Sequence, residues 1–155
     1  MKLPNVNLYN FLIFFIILIW CIGFLWEIVL HFYPSSFYLL PFLKYNFSIV
    51  CHTETEKMLT LFGYDTLVCS RCAGIYFGGL FSSFLVLLGL KKNITTKVLL
   101  LSSVPLIIDV ILYTVNIYKY SKYIALLTGF LLGSIGFIYI HRSIIELLTK
   151  SKDKN

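Results

Sequence analysis

Two short motifs place thiol and imidazole groups close together in the sequence. Cys69 and Cys72 form a C-x-x-C pair, and the adjacent Cys51 and His52 precede it, with sixteen residues between His52 and Cys69. A C-x-x-C pair can clamp a soft metal ion or cycle between a dithiol and a disulfide. With Cys51 and His52 added, the set becomes Cys3His. This matches the ligands that zinc prefers, provided that the backbone bends at the adjacent pair.

Three interpretations of these residues stay open on the sequence alone. The first is a soft metal site, for zinc or another such ion, with Cys51, His52, Cys69 and Cys72 as its ligands. The second is a thiol-disulfide oxidoreductase, in which Cys69 and Cys72 form the active dithiol, Cys51 shuttles or resolves, and a membrane quinone accepts the electrons. The third is simple packing or a structural disulfide.

Two charged residues are candidate catalytic groups beside these thiols. Arg71 lies between Cys69 and Cys72, where its charge would favour a thiolate by direct attraction, or where it anchors a helix end at the lipid headgroups. Asp109 interrupts an apolar run, which costs roughly 2.5 to 3.5 kcal/mol at a helix centre. We expect Asp109 to handle protons as a neutral acid unless Arg71 or a metal lies within about 4 to 6 Å. The alternative is a structural hydrogen bond, for example to Thr128.

The composition indicates a membrane protein, with the lipid bilayer as its partner. The chain has 155 residues, of which 59% are hydrophobic and only 13% charged, and this is not a soluble composition. The net charge of +6 is explained by Lys and Arg in short loops that set topology, so we expect no nucleic-acid binding. The sequence carries no signal for an oligomeric state.

The apolar runs predict an all-α membrane protein, with one polytopic domain over residues 1–155. About 20 apolar residues of helix cross the hydrocarbon core, and four transmembrane helices are predicted, at 11–32, 73–90, 98–115 and 123–140. The roughly 40-residue connection between helices one and two is predicted to cap the outer membrane face, since backbone at that depth needs internal hydrogen bonds. Its expected helical pieces are 36–48 and 53–62, the second with Thr53 as N-cap and Gly63 as its end.

The distribution of Lys and Arg predicts a multi-pass protein of the cell membrane with both termini in the cytoplasm. Eight of these residues fall on the side of the N-terminus: Lys2, Lys91, Lys92, Lys97, Arg142, Lys150, Lys152 and Lys154. Five fall on the other side: Lys44, Lys57, Arg71, Lys119 and Lys122. In this orientation the thiols face outward. Glu27 and His31, four residues apart on one helix face, are then predicted to lie with Asp109 beneath the thiols.

A wider pattern supports the choice of these residues. The chain carries Cys51-His52, then Cys69-x-Arg71-Cys72-x-Gly74-Ile75-Tyr76-x-Gly78, then Pro105-Leu106-x-x-Asp109, and finally Thr128-Gly129-x-x-x-Gly133. In these positions it resembles the uncharacterised prokaryotic membrane proteins of domain-of-unknown-function family 2085, over about residues 45–137. It departs from the family pattern at Lys57-Met58-Leu59 and at Val110. The resemblance implies which residues form the site and leaves its chemistry open.

Overall fold

The protein is a bundle of membrane-spanning helices with a small cap at one end. The computed structural model describes residues 6–51, 54–90, 94–117 and 119–152. In chain order the elements are α1 (Val6–Phe24), α2 (Trp26–Phe32), a 3₁₀ segment (Pro34–Leu39), α3 (Leu40–Val50), a 3₁₀ turn (Thr55–Lys57), β1 (Met58–Leu61), β2 (Tyr64–Cys69), α4 (Ser70–Leu87), α5 (Thr96–Thr114) and α6 (Lys122–Lys152).

The helices that can cross a membrane agree with the sequence prediction. Among the described residues, Ser70–Leu87, Thr96–Thr114 and Lys122–Glu146 are each long and apolar enough to span. The number rises to four if the bent pair of α1 and α2 counts as one span. Most residues of these helices are not buried inside the molecule, since lipid replaces water as the solvent of their apolar side chains. The predicted all-α, multi-pass fold is confirmed.

The predicted continuous helix over 11–32 is wrong at Leu25. The axis bends there by 74°, and no proline lies at the break. The 19 residues of α1 already extend about 28 Å at about 1.5 Å per residue, nearly the thickness of the hydrocarbon core. The chain can therefore turn at the membrane face. Contacts of α2 with the cap hold this turn, including a hydrogen bond of 3.3 Å from Trp26 Nε1 to the Ser36 carbonyl.

The second predicted helical piece of the cap is also wrong. In place of a helix over 53–62, the chain forms one 3₁₀ turn and then an antiparallel β1–β2 hairpin. Phe62 and Gly63 form its two-residue turn with φ values of 54° and 84°, as a type I′ hairpin turn requires at both central positions. The proposed N-cap, Thr53, lies outside the described residues. The first piece, predicted at 36–48, is observed as the 3₁₀ segment Pro34–Leu39 followed by α3.

Four glycines allow α4 and α6 to pack backbone against backbone. A Cβ atom on Gly74 or Gly78 of α4 would overlap carbonyl oxygens of α6, and a Cβ on Gly129 or Gly133 of α6 would overlap carbonyl oxygens of α4. Small residues at a four-residue spacing permit such close approach in lipid, where dispersion contacts hold helices together. This interface fixes the first turn of α4 against α6.

The most buried apolar side chains lie where the cap meets the bundle. They come from α1, α3, the hairpin and α4, and they pack as one cluster: Cys21, Phe24, Phe47, Cys51, Leu59, Leu67, Val68 and Ala73. The dense core of the molecule therefore surrounds the end of the bundle that carries the cysteines, and it can hold side chains there in fixed positions.

Candidate metal centre

Three elements bring three thiols to one point at the mouth of α4. Cys51 follows the last residue of α3, Cys69 ends β2, and Cys72 lies in the first turn of α4. Pairing of Met58 with Cys69 across the hairpin fixes the end of β2 where α4 begins. The backbone of Cys51 is extended, with φ of −138° and ψ of 131°, so the chain leaves the α3 helix at this residue.

The geometry of these thiols fits one metal ion. The Sγ atoms of Cys51, Cys69 and Cys72 all lie within 4.8 Å of one another. Zinc binds sulfur at about 2.3 Å, so two thiolates of a tetrahedral site are about 3.8 Å apart. Shifts of about 1 Å or less would bring the three sulfurs to that spacing. The fourth predicted ligand, His52, lies outside the described residues.

Hydrogen bonds in this cluster favour a thiolate at Cys69. The thiols of Cys51 and Cys72, and then the backbone N–H groups of Cys72 and Arg71, lower the pKa of Cys69 well below its usual value. The hydrogen bond between the Cys51 and Cys69 side chains has the opposite effect on Cys51, whose pKa it raises. The backbone N–H of Cys69 also donates to Cys51 Sγ at 3.2 Å. One of the three sulfurs is thus prepared as a ligand or nucleophile.

The predicted residues Arg71 and Asp109 form an ion pair that joins α4 to α5. Arg71 Nη2 lies 2.5 Å from Asp109 Oδ2, and Asp109 is only 4% exposed. The prediction for Asp109 made an exception for a case in which Arg71 or a metal lies nearby, and Arg71 does lie nearby. The Thr128 hydroxyl donates to the Ala125 carbonyl of its own helix at 3.2 Å. The pKa of Cys69 is lowered first by hydrogen bonds with the Cys51 and Cys72 thiols and then by backbone N–H groups, including that of Arg71.

Two residues at this site were missed by sequence reasoning, Ser70 and Tyr120. Ser70 is fully buried, and its hydroxyl donates to the Lys57 carbonyl at 3.1 Å. Tyr120 contacts Ser70, and burial raises its pKa to about 12. Its ring centroid also lies 5.9 Å from Arg71 Cζ. Tyr120 belongs to the connection between α5 and α6, and a lone tyrosine in a loop gives no sequence signal for a site.

The structure does not bring Glu27 and His31 beneath the thiols. Both lie on α2, which the bend at Leu25 carries away from the line of α1. Glu27 pairs with Lys44 of α3 at 2.8 Å, and Tyr64 Oη lies 2.6 Å from His31 Nδ1. These pairs tie α2 to the cap. The fourth cysteine, Cys21, is buried in α1, as is common for a free cysteine, which packs as a small hydrophobic residue.

The fold and the site define a class of protein, which comparison with known proteins narrows to a family. The class is a multi-pass helical membrane protein with a three-thiol cluster at the mouth of one helix. The chain belongs to the family described as "Predicted membrane protein (DUF2085)", whose model matches residues 51–139. The matched segment starts at Cys51 and includes Cys69, Cys72 and Asp109. The resemblance inferred from the sequence is thereby confirmed.

A curated relative is similar to this chain over most of its length. An uncharacterized protein of Methanocaldococcus jannaschii is 26% identical over 109 residues, which cover 67% of this chain and 69% of the relative. No solved structure matches the chain significantly. The family therefore identifies a membrane protein, and the chemistry has to be argued from the site.

Proposed function

We propose that this protein binds a soft metal ion, zinc above all, through Cys51, Cys69 and Cys72, with His52 as the fourth ligand. The convergence of three thiols within 4.8 Å carries the proposal, because these cysteines come from three different elements. Simple packing would not require their sulfurs to meet. A redox dithiol needs only two sulfurs, whereas a soft metal uses three or four.

The surroundings of the thiols support a stably bound metal ion rather than a transported one. Cys51 is 5% exposed, and the core cluster encloses it. The N–H of Cys69 donates to Cys51 Sγ, and such hydrogen bonds orient a ligand and stabilise its charge. The Arg71–Asp109 pair holds the first turn of α4 toward α5. We assign this pair a positioning role, and proton handling by Asp109 stays a prediction.

The metal content of the purified full-length protein tests this proposal. We expect about one zinc per chain by elemental analysis, and tetrahedral thiolate absorption bands after exchange with cobalt. Loss of a residue that only supports a metal ligand costs about 10- to 100-fold in affinity, so Cys72→Ser should cost at least about 100-fold. Cys21→Ser is the control, since Cys21 is a buried free cysteine that lies outside the cluster. His52→Gln tests the fourth ligand separately.

Protein with a full thiol titre that neither contains nor takes up zinc, cobalt or copper would refute the metal proposal. The control excludes a trivial result: if Cys21→Ser also loses the metal, the loss reflects damaged packing. Retention of metal by Cys72→Ser with wild-type affinity would equally exclude Cys72 as a ligand.

Thiol-disulfide exchange is the second candidate, favoured by the placement of Cys69 at the N-cap of α4 and of Cys72 in its first turn. In this reaction the dithiol would lose two electrons and two protons to a membrane quinone and form a disulfide, and the quinone would become a quinol. Alkylation of cells before and after reduction tests it. A Cys69–Cys72 bridge in part of the population supports this candidate, whereas thiols that are free under all conditions exclude it.

We further propose that the site faces outward, with both termini in the cytoplasm, on the Lys and Arg distribution described above. The cap, the mouth of α4 and the α5–α6 connection then share the extracytoplasmic face. A reporter that is active only in the cytoplasm, fused after residue 155, should be active. An inactive but stable fusion would reverse the orientation.

A further inference from the structure

A second candidate binding site lies beside the thiol cluster, in a cavity of about 470 Å³. Its volume falls within the range of about 300 to 1,000 Å³ that is usual for small-molecule sites. The 3₁₀ turn before β1, the end of α5 and the α5–α6 connection form its walls. The polar and aromatic residues that line it are Glu56, Lys57, Tyr113, Asn116, Lys119 and Tyr120.

The cavity offers several hydrogen-bond donors to an anionic group. Lys57 and Lys119 provide two ammonium groups, and Asn116 adds an amide. Lys57 is held in place, because its Nζ lies 4.7 Å from the ring centroid of Tyr113 and 2.5 Å from Glu54. Lys119 makes no ion pair with any described residue, so its charge is available to a ligand. Lysines acting as point charges are common phosphate binders.

One carboxylate on the same wall restricts the ligand further. Glu56 lines the cavity and is exposed, so a purely anionic ligand would meet repulsion there. A ligand that carries an ammonium group next to its phosphate would satisfy both lysines and Glu56. Phosphoethanolamine has this arrangement of charges.

The position of the cavity favours a ligand at the membrane surface. The candidate span of α5 ends at Thr114, and that of α6 begins at Lys122, so the connection between them lies at the lipid headgroups. Deeper along α5, outward apolar side chains such as Ile107 and Ile111 are about half exposed, so acyl chains lie below the headgroup level at which the cavity opens.

We propose that this cavity binds a phosphoethanolamine group, with the phosphate on Lys57 and Lys119 and the ammonium on Glu56. The group is either the headgroup of a membrane phospholipid or a soluble phosphoethanolamine. The proposal does not depend on whether the thiols hold a metal. The two sites are nevertheless joined, since Tyr120 lines the cavity and also contacts Ser70 and Arg71.

Binding measurements on the full-length protein in a phosphate-free detergent test this proposal. The probes are a short-chain ethanolamine phospholipid, the corresponding glycerol phospholipid and free O-phosphoethanolamine, followed by calorimetric titration. Wild-type protein should prefer the ethanolamine lipid to the glycerol lipid. Lys119→Gln should weaken binding of the ethanolamine lipid about fivefold, as expected for loss of one partly solvated charge pair. Glu56→Gln should remove the preference between the two lipids.

Lys97→Gln is the matched control, because Lys97 is exposed and lies at the opposite end of α5. It should bind both lipids as wild type does. Free O-phosphoethanolamine that binds as tightly as the lipid identifies a soluble ligand, and binding of the lipid alone identifies a headgroup. Equal loss of binding in Lys97→Gln and Lys119→Gln would overturn the proposal, as would absence of binding by both ethanolamine probes. Thermal unfolding of each variant verifies that it is folded.

Discussion

Two adjacent glycines of α4 should respond in opposite ways to the same substitution. A Cβ on Gly78 would overlap the Phe130 carbonyl oxygen and lie 2.8 Å from the Ser134 backbone nitrogen, whereas a Cβ on Gly79 would meet nothing within 4 Å. These two atoms belong to the backbone, so no side-chain rotation can relieve the overlap with them. Gly78→Ala must therefore push α4 and α6 apart, and Gly79→Ala need not.

The expected magnitudes follow from helix propensity and overpacking. Alanine in place of glycine within a helix stabilises it by up to about 1 kcal/mol, and both substitutions gain this contribution. Overpacking costs typically about 1 to 3 kcal/mol, and the rigid neighbours at Gly78 place it at the upper end. Gly78→Ala should then lose about 2 kcal/mol while Gly79→Ala gains about 1 kcal/mol. A chain of this size loses about 2 to 4 °C of Tm per kcal/mol.

Thermal unfolding in one detergent, followed by tryptophan fluorescence, measures this difference. The Tm of Gly79→Ala should exceed that of Gly78→Ala by about 6 to 12 °C. Gly133→Ala and Gly136→Ala repeat the comparison on α6, where a Cβ on Gly136 approaches only Leu99 Cδ1, at 3.9 Å. Equal Tm values for the members of either pair would refute backbone-to-backbone packing of α4 and α6.

Three further predictions concern the ion pairs and the hairpin. Asp109→Leu leaves the Arg71 guanidinium without its carboxylate and should destabilise the protein by about 3 kcal/mol. Asp109→Asn should cost less. Equal losses of Tm in the two variants would contradict the importance of the charge. Gly63→Ala places a side chain at φ of 84° and should cost about 1 kcal/mol, measured by Tm; an unchanged Tm would show that the turn adopts another form. Breaking the partly exposed Lys44–Glu27 pair with Lys44→Ala should cost no more than about 1 kcal/mol and leave metal content unchanged. Loss of metal would link α2 to the thiol site.

The spanning helices could be predicted from the sequence because lipid imposes a simple requirement on them. A run of about 20 apolar residues must form a helix to satisfy its own backbone. The predicted starts at 98 and 123 lie within two residues of the observed Thr96 and Lys122. The end of α6 was placed too early, since the helix continues from the apolar run through a polar stretch to Lys152. Hydropathy carries no information on that continuation.

The cap could not be predicted in the same way, because its local signals conflict. Glu54 and Glu56 suggest the first turn of a helix, yet the residues around Phe62-Gly63 include Thr60, Tyr64, Thr66 and Val68, which favour strands. A glycine in a two-residue turn between such segments is a hairpin signal, and it was available in the sequence. The segment that forms β1 pairs with β2, which leads directly into α4. This pairing favours a strand over a helix there. The bend at Leu25 had no local signal and depends on contacts with the cap.

The composition of the site was accessible from the sequence because a charge within a membrane helix is costly unless it has a role, and because cysteines at C-x-x-C spacing are typical of metal or redox sites. The partner of each charge was not accessible, since Arg71 could have turned toward the thiols, the headgroups or Asp109. The close packing of α4 and α6 at their glycines provides a reason why Arg71 pairs with Asp109. A Cβ on Gly129 would overlap the Arg71 carbonyl, so this contact fixes the backbone of Arg71 against α6. It follows that Gly129→Ala should disturb the thiol geometry and the Arg71–Asp109 pair together, although Gly129 is neither a ligand nor an ion-pair partner.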